Sequence, residues 1–224
     1  MSVPRTVLIT GGSRGIGAAI RSELTGRGYR VIAPSRAELD LSSGESVHKY
    51  LSESAPHGVD VLVNNAAVNA PQKIEDATAQ AWDLACQVNL RAAFDLTRFF
   101  APRMAERGFG RILNISSILA LVAKPGRSVY SMTKAALDAL TRTAAVEFGR
   151  GGVLVNSLAP GYVDTDLTRA NNTAEEIAKI VQTIPVGRMA SPADLAKAAA
   201  FLVSDENAYI TGQTIAADGG FTCV

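Results

Sequence analysis

The sequence predicts a single α/β domain built on a doubly wound parallel sheet with helices on both faces. Short β-rich apolar runs alternate with longer helix-type segments along the 224 residues, which is the pattern of consecutive βαβ units. Runs such as residues 61–63 (Val-Leu-Val) show little polar alternation, as expected of strands covered on both faces. A glycine-rich loop, TGGSRGIG at residues 10–17, lies between the first apolar run and a helical segment. Together these features indicate a Rossmann-type sandwich.

Strands and helices are predicted in alternation along the chain. The strands are predicted at residues 6–10, 30–33, 59–64, 110–115, 153–158 and 214–217. Helices are predicted at 16–27, 92–107 and 131–149, the last two being the longest, with Gly108 and Gly149 as their stop signals. No composition shift, repeat or low-complexity tract divides the chain, so residues 1–224 are predicted to form one domain.

Composition argues against several classes of function. The net charge is +1 with both signs scattered, so neither a nucleic-acid footprint nor a polybasic membrane patch is expected. No apolar run approaches the roughly 18 residues of a membrane span, and the N-terminus lacks the apolar core of a signal peptide, which favours a cytoplasmic protein. Cys86, Cys223, His48 and His57 show no metal-ligand or redox spacing. We therefore expect no metal site, with Cys86 in the core, Cys223 in the tail and both histidines on the surface.

The glycine-rich loop is a candidate phosphate site. Backbone amides and the dipole at the start of the following helix favour a pyrophosphate. Gly11 allows a tight turn, Gly15 lets the backbone approach the phosphates, and Gly17 allows close packing of helix on strand. A plain glycine turn is the alternative. The predicted cofactor contacts in this loop are Gly11, Gly12, Ser13, Arg14, Gly15, Ile16 and Gly17.

The end of the second strand bears on the kind of dinucleotide. Enzymes that prefer NAD usually carry an acidic residue there, which accepts hydrogen bonds from the ribose 2′-hydroxyl. This chain instead has Ala33-Pro34-Ser35-Arg36. Arg14 and Arg36 can form a guanidinium clamp on a 2′-phosphate, so NADP(H) is predicted in preference to NAD(H). A solvated loop charge is the alternative interpretation of Arg36.

Tyr130 and Lys134 lie four residues apart, which places both on one face of a helix. A free phenol has a pKa of about 10 and is too weak an acid for proton transfer at neutral pH, but a nearby cation favours the phenolate and lowers that pKa. In a domain with a dinucleotide site, such a proton donor indicates hydride transfer to or from a carbonyl. Taken alone, this spacing also occurs by chance in many helices.

Further segments fall in a fixed order around this pair: Asn64-Asn65-Ala66-Ala67, Asn89, Ser117 and Pro160-Gly161. With the glycine loop, they make the chain from about residue 7 to residue 220 resemble the short-chain dehydrogenase/reductase family. Arg188-Met189, the segment 209–214 and the segment 218–220 resemble the 3-oxoacyl-carrier-protein reductase type in particular.

The resemblance implies a role for each matched catalytic residue. Tyr130 is the acid or base, Ser117 hydrogen-bonds the carbonyl oxygen, and Lys134 lowers the pKa of Tyr130 and binds the nicotinamide ribose. Ser116 is the competing serine, and the family register favours Ser117. Asn89 resembles the asparagine at a helix kink that holds a water next to the lysine.

The resemblance also implies the rest of the cofactor site, which Tyr130 and Lys134 complete. It assigns Asp40 and Leu41 to the adenine, Asn65, Ala66 and Ala67 to the adenosine ribose and its loop, Pro160 and Gly161 to the start of the segment over substrate and cofactor, and Val163 and Thr165 to the nicotinamide carboxamide. Ala67 stands where the family commonly has glycine, and its methyl group is expected to shift the loop slightly without abolishing binding.

Residues 35–41 depart from the family pattern. They pass almost at once from the second strand to what resembles the end of the family's third strand, in an interval where most members have a helix. We expect the missing helix to leave the adenine side of the site more open. The fold should survive, because the helix would lie at the periphery of the sheet.

Substrate and partner are less well defined by the resemblance. Arg111 and Arg169 match a pair of arginines that meets acyl carrier protein in the carrier-protein reductases, and a free ketone, polyol or sugar-derived substrate is the alternative. A non-catalytic NADP(H)-binding protein of this fold would be expected to lack Tyr130 or Lys134. A sugar-nucleotide epimerase or dehydratase normally has a different glycine spacing and a larger C-terminal domain.

A homotetramer is the expected assembly. By resemblance, the helices at 92–107 and 131–149 pair across one two-fold axis, and the last helix and strand pair across another. The stretches 195–203 and 210–217 are unusually apolar for a segment so close to a terminus, and pairing with a symmetry mate would cover an otherwise free edge strand. A dimer is the alternative.

Overall fold

A computed structural model describes residues 4–170 and 172–224. Its strands are β1 (Thr6–Ile9), β2 (Arg30–Ile32), β3 (Val59–Asn64), β4 (Gly110–Ile115), β5 (Val153–Pro160) and β6 (Thr214–Ala217). They form one parallel sheet in the order β2-β1-β3-β4-β5-β6. Each coincides with a predicted strand to within two residues, so the predicted single-domain, doubly wound parallel sheet is confirmed.

Helices separate the strands along the chain. They are α1 (Gly15–Gly26), α2 (Gly44–Lys49), α3 (Ala79–Cys86), α4 (Ala92–Glu106), α5 (Ser128–Phe148), α6 (Asp166–Ala170), α7 (Ala174–Gln182) and α8 (Pro192–Val203). Single π-helical turns extend α2 (Tyr50–Ser54) and join α3 to α4 (Gln87–Arg91), and short 3₁₀ turns lie at Ile74–Asp76, Ile118–Ala120, Gly149–Gly151 and Phe221–Cys223.

The strands are buried on both faces because successive side chains point to opposite sides of the sheet. Val7 and Ile9 of β1 pack in the apolar cluster that includes residues of α1 and α8. Leu8, between them, packs in the opposite cluster with residues of α2, α4 and α5. Helices thus cover both faces, which is why the strands read as continuous apolar runs rather than alternating ones.

Two helix boundaries differ from the prediction. The helix predicted at 131–149 begins at Ser128, so Tyr130 lies in its first turn. Its N-cap, Arg127, makes no side-chain capping hydrogen bond, so the sequence carried no capping signal there. At the other end Gly149 is right-handed and begins a 3₁₀ turn, and the left-handed glycine is Gly152, with φ of 76°. Gly108, with φ of 73°, ends α4 as predicted.

The segment between β2 and α2 confirms the loss of a peripheral helix. Residues 33–43 contain neither helix nor strand. The suggestion that residues near Asp40 end a strand is therefore wrong: the Asp40 carboxylate accepts hydrogen bonds from the Ser42 backbone N–H and hydroxyl, at 2.9 and 2.6 Å, and holds the segment in a turn. Among the described residues no strand pairs with β2 on its far side, so β2 is an edge of the sheet.

Several smaller expectations can be placed on the structure. Within the described ranges, no helix has the length and apolar character needed to cross a membrane. No cluster of three or more histidine, cysteine or acidic side chains is arranged for a metal ion in that same part of the chain. His48 and His57 are exposed as expected. Cys86 is only partly buried rather than a core residue, and Cys223 is exposed.

Candidate active site

The carboxyl ends of the strands meet at one edge of the sheet, and most predicted site residues lie there. The glycine loop follows β1, residues 65–67 follow β3, Ser117 follows β4 and Gly161 follows β5. Because β3, β4 and β5 are neighbours in the sheet, the loops after them lie side by side. This is the crevice in which open α/β sheets bind ligands.

The glycine loop has the backbone that its sequence predicts. Gly11 and Gly15 have positive φ angles of 65° and 55°, which other residues rarely adopt. A Cβ at Gly17 would collide with the carbonyl oxygen of Gly11, whereas a Cβ at Gly15 would meet only the Thr165 methyl group, at 3.8 Å. Gly17 thus packs the start of α1 against the loop, and Gly15 opens on to the crevice. A loop that is open on this side and lies at a helix N-terminus fits a pyrophosphate.

Thr10 and Asn65 tie the glycine loop to the loop after β3. Asn65 Nδ2 donates to the carbonyl oxygens of Thr10 and Gly11 at 2.9 and 3.1 Å. Thr10 Oγ1 accepts from the backbone N–H groups of Asn65 and Ala66, each at 3.1 Å. The Asn65 side chain therefore shapes the loop, while exposed Ala67 follows it. Thr10 was not among the predicted site residues, although the loop motif begins with it.

The two arginines of the predicted phosphate clamp are exposed at the ends of neighbouring strands. Arg14 is the N-cap of α1 and makes no side-chain capping hydrogen bond. The Arg36 side chain is 80% exposed and donates to Asp40 Oδ2 at 3.3 Å and to Ser42 Oγ at 3.4 Å. Hydrogen bonds from Ser42, and then the Arg36 charge, lower the pKa of Asp40. Asp40 therefore holds the Arg36 guanidinium in place after β2. The carbonyl oxygen of the neighbouring Leu41 accepts a hydrogen bond from Gln87 Nε2 at 3.3 Å.

The structure brings Ser117, Tyr130 and Lys134 together beyond the end of β4. The Lys134 side chain is buried, with its Nζ 5.6 Å from the centre of the Tyr130 ring and donating to the Ile115 carbonyl oxygen at 2.6 Å. Ser117 Oγ accepts from the Leu119 backbone N–H at 3.1 Å, and its hydroxyl lies near enough to the Tyr130 phenol to act on the pKa of that group. Ser116 instead turns toward the backbone of α5 and donates to the Lys134 carbonyl oxygen at 3.4 Å. Of the two serines, Ser117 is the one that faces the phenol.

Burial dominates the protonation of this group. Desolvation raises the pKa of Tyr130, against the smaller lowering effects of the Ser117 hydrogen bond and the Arg127 charge. The prediction of a lowered Tyr130 pKa is wrong, because burial outweighs the effects of Ser117 and Arg127. Burial also lowers the pKa of Lys134 to about 8, opposed by the Asp138 carboxylate. The phenol is thus held protonated at neutral pH beside an amine that can exchange its proton.

Asn89 lies in the π-helical turn between α3 and α4, and three hydrogen bonds join its side chain to other parts of the protein. Its Oδ1 accepts from Val68 N–H at 2.8 Å, and its Nδ2 donates to the Val68 carbonyl oxygen at 2.9 Å and to Thr133 Oγ1 at 3.1 Å. Thr133 Oγ1 in turn donates to the Tyr130 carbonyl oxygen at 2.8 Å. The Asn89 side chain therefore fixes the loop after β3 to the first turn of α5. Thr133 was missed by the sequence interpretation, and its place between Tyr130 and Lys134 was the available signal.

The segment after β5 closes the crevice on its other side. Pro160 ends β5, and a Cβ at Gly161 would meet Asp218 Cα at 2.7 Å, so the chain passes close to the C-terminal turn. Val163 is buried, and its carbonyl oxygen accepts from Thr168 Oγ1 at 2.7 Å, while Thr165 Oγ1 lies 3.1 Å from Thr168 Oγ1. These contacts place Val163 and Thr165 between the glycine loop and α6.

Two cavities adjoin the loop that joins β4 to α5. A groove of about 630 Å³ lies between that loop, the end of α7 and the C-terminal turn, and its lining includes Val122, Pro185 and Phe221. A smaller cavity of about 110 Å³ is lined in part by Asn69 and Tyr130. Tyr130 is therefore part of the wall of the second cavity.

The predicted carrier-protein contact at Arg111 is wrong. Arg111 is 6% exposed and lies near the start of β4, at the sheet edge opposite to Ser117. Its guanidinium donates to the carbonyl oxygens of Ser204 and Asn207 at 3.3 and 3.0 Å, so it serves as an internal tie. Arg169 is exposed at the crevice side and pairs with Asp164 at 2.7 Å.

Comparison with known proteins gives consistent matches over the whole chain. A family model described as Enoyl-(Acyl carrier protein) reductase matches residues 30–222. An acetoacetyl-CoA reductase of Shinella zoogloeoides is 38% identical over 237 residues, covering 96% of this chain and 98% of that protein. The 3-oxoacyl-[acyl-carrier-protein] reductase of Escherichia coli is 33% identical over 240 residues, covering 98% of each. Among solved structures, a gluconate 5-dehydrogenase of Burkholderia cenocepacia in complex with NADP and tartrate superposes with a TM-score of 0.89 at 30% identity, covering 98% of this chain and 96% of that one.

Proposed function

Because the chain belongs to the short-chain dehydrogenase/reductase family, we propose that it is an NADP(H)-dependent carbonyl reductase that acts on a 3-oxoacyl thioester or a similar small ketone. The observation that carries the proposal is the grouping of Ser117, Tyr130 and Lys134 beside a loop shaped for a pyrophosphate. When bound, the nicotinamide cofactor supplies the hydride.

The protein's own residues handle the proton. Tyr130, protonated at neutral pH, donates its phenolic proton to the carbonyl oxygen of the substrate, and the Ser117 hydroxyl donates a hydrogen bond to that oxygen. Lys134, with a pKa lowered to about 8 by burial, restores the phenolic proton. Asn89 keeps the loop after β3 and the start of α5 in register, so that these groups stay in place. In the oxidative direction the same groups act in reverse.

The substrate class follows from the relatives and from the groove next to the site. Acetoacetyl-CoA reductase and 3-oxoacyl-[acyl-carrier-protein] reductases are among the relatives, and the groove lined by Val122, Pro185 and Phe221 has room for an acyl chain. Docking of an acyl carrier protein remains part of the proposal, with Arg169 but not Arg111 in its support. A sugar-derived ketone is the second candidate, favoured by structural similarity to gluconate 5-dehydrogenases.

Oxidation of NADPH in the presence of acetoacetyl thioesters, simple ketones, 5-keto sugar acids and quinones tests this function. We expect turnover with an acetoacetyl thioester. Preferred turnover of the sugar acid would select the second candidate. Tight binding of NADPH without turnover of any carbonyl would instead identify a non-catalytic NADP(H)-binding protein of this fold.

Cofactor preference is expected to follow from Arg14 and Arg36. The parent enzyme should show a higher kcat/KM with NADPH than with NADH, and Arg36→Asp should shrink or invert that ratio. One charge-assisted contact to phosphate is worth roughly 1.5 to 3 kcal/mol, or about tenfold to a hundredfold. Arg30→Asp, at the start of β2 and away from the loop that carries Arg36, is the matched control and should leave the ratio unchanged. A parent that prefers NADH would contradict the assignment of Arg36.

We also propose that the protein is a homotetramer in the cytoplasm. Apolar side chains remain exposed on the helices expected to pair: Phe94, Met132, Val146 and Phe201 are each at least 39% exposed. The edge strand β6 is only partly covered, and an unpaired edge of this kind favours association.

Light scattering should give a mass of roughly four times the 23.5 kDa chain. Val146→Glu, which charges a side chain that is 84% exposed on α5, should reduce the assembly to a smaller species. Val186→Glu, at a site 62% exposed outside these helices, should not. A monomeric parent at micromolar concentration would contradict both the tetramer and the alternative dimer.

A further inference from the structure

The loop between the two catalytic hydroxyls carries positive charge only. Lys124 and Arg127 are the ionisable residues between Ser117 and Tyr130, and the segment contains no acid. Within residues 4–170 and 172–224, neither cation forms an ion pair. Both are only partly exposed. The Lys124 charge helps to lower the pKa of the Glu176 carboxylate but forms no ion pair with it, so neither cation is neutralised by direct contact with a carboxylate in the described part of the chain.

Each cation is held by a neutral partner. Lys124 Nζ donates to the Tyr162 hydroxyl at 3.4 Å, and Arg127 Nη1 donates to Asn69 Oδ1 at 2.9 Å. The neighbouring backbone is fixed as well, since Gln72 N–H donates to the Gly126 carbonyl oxygen at 3.0 Å. The two side chains are therefore held in position, because turning toward bulk solvent would break these hydrogen bonds.

These partners lie on opposite sides of the reacting groups. Asn69 follows β3 and Tyr162 follows β5, and β4, which leads to Ser117, lies between them in the sheet. Asn69 lines the cavity of about 110 Å³ that reaches Tyr130. On the other side, Tyr162 stacks edge to face on Phe221, at 5.4 Å between ring centres, and Phe221 lines the groove of about 630 Å³. The cations thus flank the place where a ketone must sit.

The position of Arg127 is costly for the fold. It is the N-cap of α5 and makes no side-chain capping hydrogen bond, and the positive end of a helix dipole disfavours a cation there. Its charge also reaches the Tyr130 phenol, whose pKa it lowers against the dominant effect of burial. Arg127 therefore contributes no side-chain cap to α5, and its guanidinium instead lies at Asn69, which lines the cavity next to Tyr130.

We propose that Lys124 and Arg127 bind an anionic group of the substrate, so that this protein prefers ketones that carry a carboxylate or a phosphate over neutral ketones of the same shape. This rests on the proposed carbonyl reductase function and narrows its substrate class. Guanidinium and ammonium groups bind carboxylates and phosphates alike by charge-assisted hydrogen bonds. The two cations therefore fit either anion.

Matched pairs of substrates test the proposal and separate the two anions. Levulinate and its methyl ester differ in a carboxylate, and acetoacetyl-4′-phosphopantetheine and acetoacetyl-pantetheine differ in one phosphate. We expect the parent to favour the charged member of at least one pair by about tenfold or more in kcat/KM. Lys124→Gln and Arg127→Gln should each remove most of that preference, because each should lower kcat/KM for the charged member more than for the neutral member. Lys49→Gln, an exposed lysine on α2, is the control.

The outcomes are distinct. Preference within the first pair assigns a carboxylate, and preference within the second assigns a phosphate. Equal rates for both members of both pairs, or equal losses on charged and neutral substrates in the glutamine variants, would overturn the proposal and leave the reductase function standing. Calorimetric titration of levulinate and methyl levulinate into the NADP⁺-loaded protein makes the same comparison without turnover, so a failure to reduce any ketone would count against the proposed function alone.

Discussion

Tyr130→Phe should lower kcat by about a thousandfold or more while leaving the affinity for NADPH nearly unchanged, because a principal acid-base group contributes a factor of this order. The variant keeps the ring and its contacts and loses only the hydroxyl that Ser117 faces. Single-turnover rates with a saturating ketone, together with the Kd for NADPH from fluorescence titration, measure the two effects separately.

A second tyrosine provides the control for this substitution. Tyr29→Phe removes a partly buried hydroxyl, whose pKa is also raised by burial, just before β2 and at the sheet edge opposite the site. It should leave kcat within about twofold. A Tyr130→Phe variant that retains turnover within tenfold of the parent would remove Tyr130 from the mechanism.

Gly17→Ala is expected to weaken NADPH binding by at least about a hundredfold, which corresponds to the loss of one or two charge-assisted hydrogen bonds to the pyrophosphate. A methyl group at residue 17 would collide with the Gly11 carbonyl oxygen and with Asn65 Nδ2. The loop or the start of α1 must move, and backbone N–H groups then no longer converge on the phosphates. Equilibrium binding of NADPH measures the loss.

The same helix offers a matched substitution. A Cβ at Gly26, at the other end of α1, meets nothing within 4 Å, so Gly26→Ala makes the same chemical change without a collision. It should bind NADPH like the parent and unfold at an equal or slightly higher temperature, since alanine is the better helix former. Wild-type affinity in Gly17→Ala would show that the loop does not hold the cofactor as proposed.

The strands and the glycine loop were predictable because local sequence determines them. Val61, Leu62 and Val63 form a continuous apolar run, which is typical of a strand covered on both faces. Gly11 and Gly15 lie where the backbone has a positive φ angle, which favours glycine. The order of segments along the chain also located Ser117, Tyr130 and Lys134, because that order resembles the short-chain dehydrogenase/reductase family.

The predictions that failed depended on contacts distant in sequence. Arg111 matches the position of a carrier-contacting arginine in the carrier-protein reductases. In the structure its buried guanidinium instead hydrogen-bonds the carbonyl oxygens of Ser204 and Asn207, almost a hundred residues away in sequence. The lower pKa expected for Tyr130 followed from the nearby charge alone. The cost of burying the phenol depends on the packed site, and no sequence spacing reports it.

The sheet face that supports the glycine loop is covered by helices from the two ends of the chain. Ile20 and Leu24 of α1 pack in one apolar cluster with Leu195 and Ala199 of α8. During synthesis the phosphate-binding loop is therefore made early, while part of its apolar support emerges from the ribosome late. Contacts between such distant segments also raise contact order, which slows folding. A nascent or truncated chain without α8 exposes the apolar side of β1 and α1, so the phosphate-binding loop gains its full apolar support only after α8 has been made.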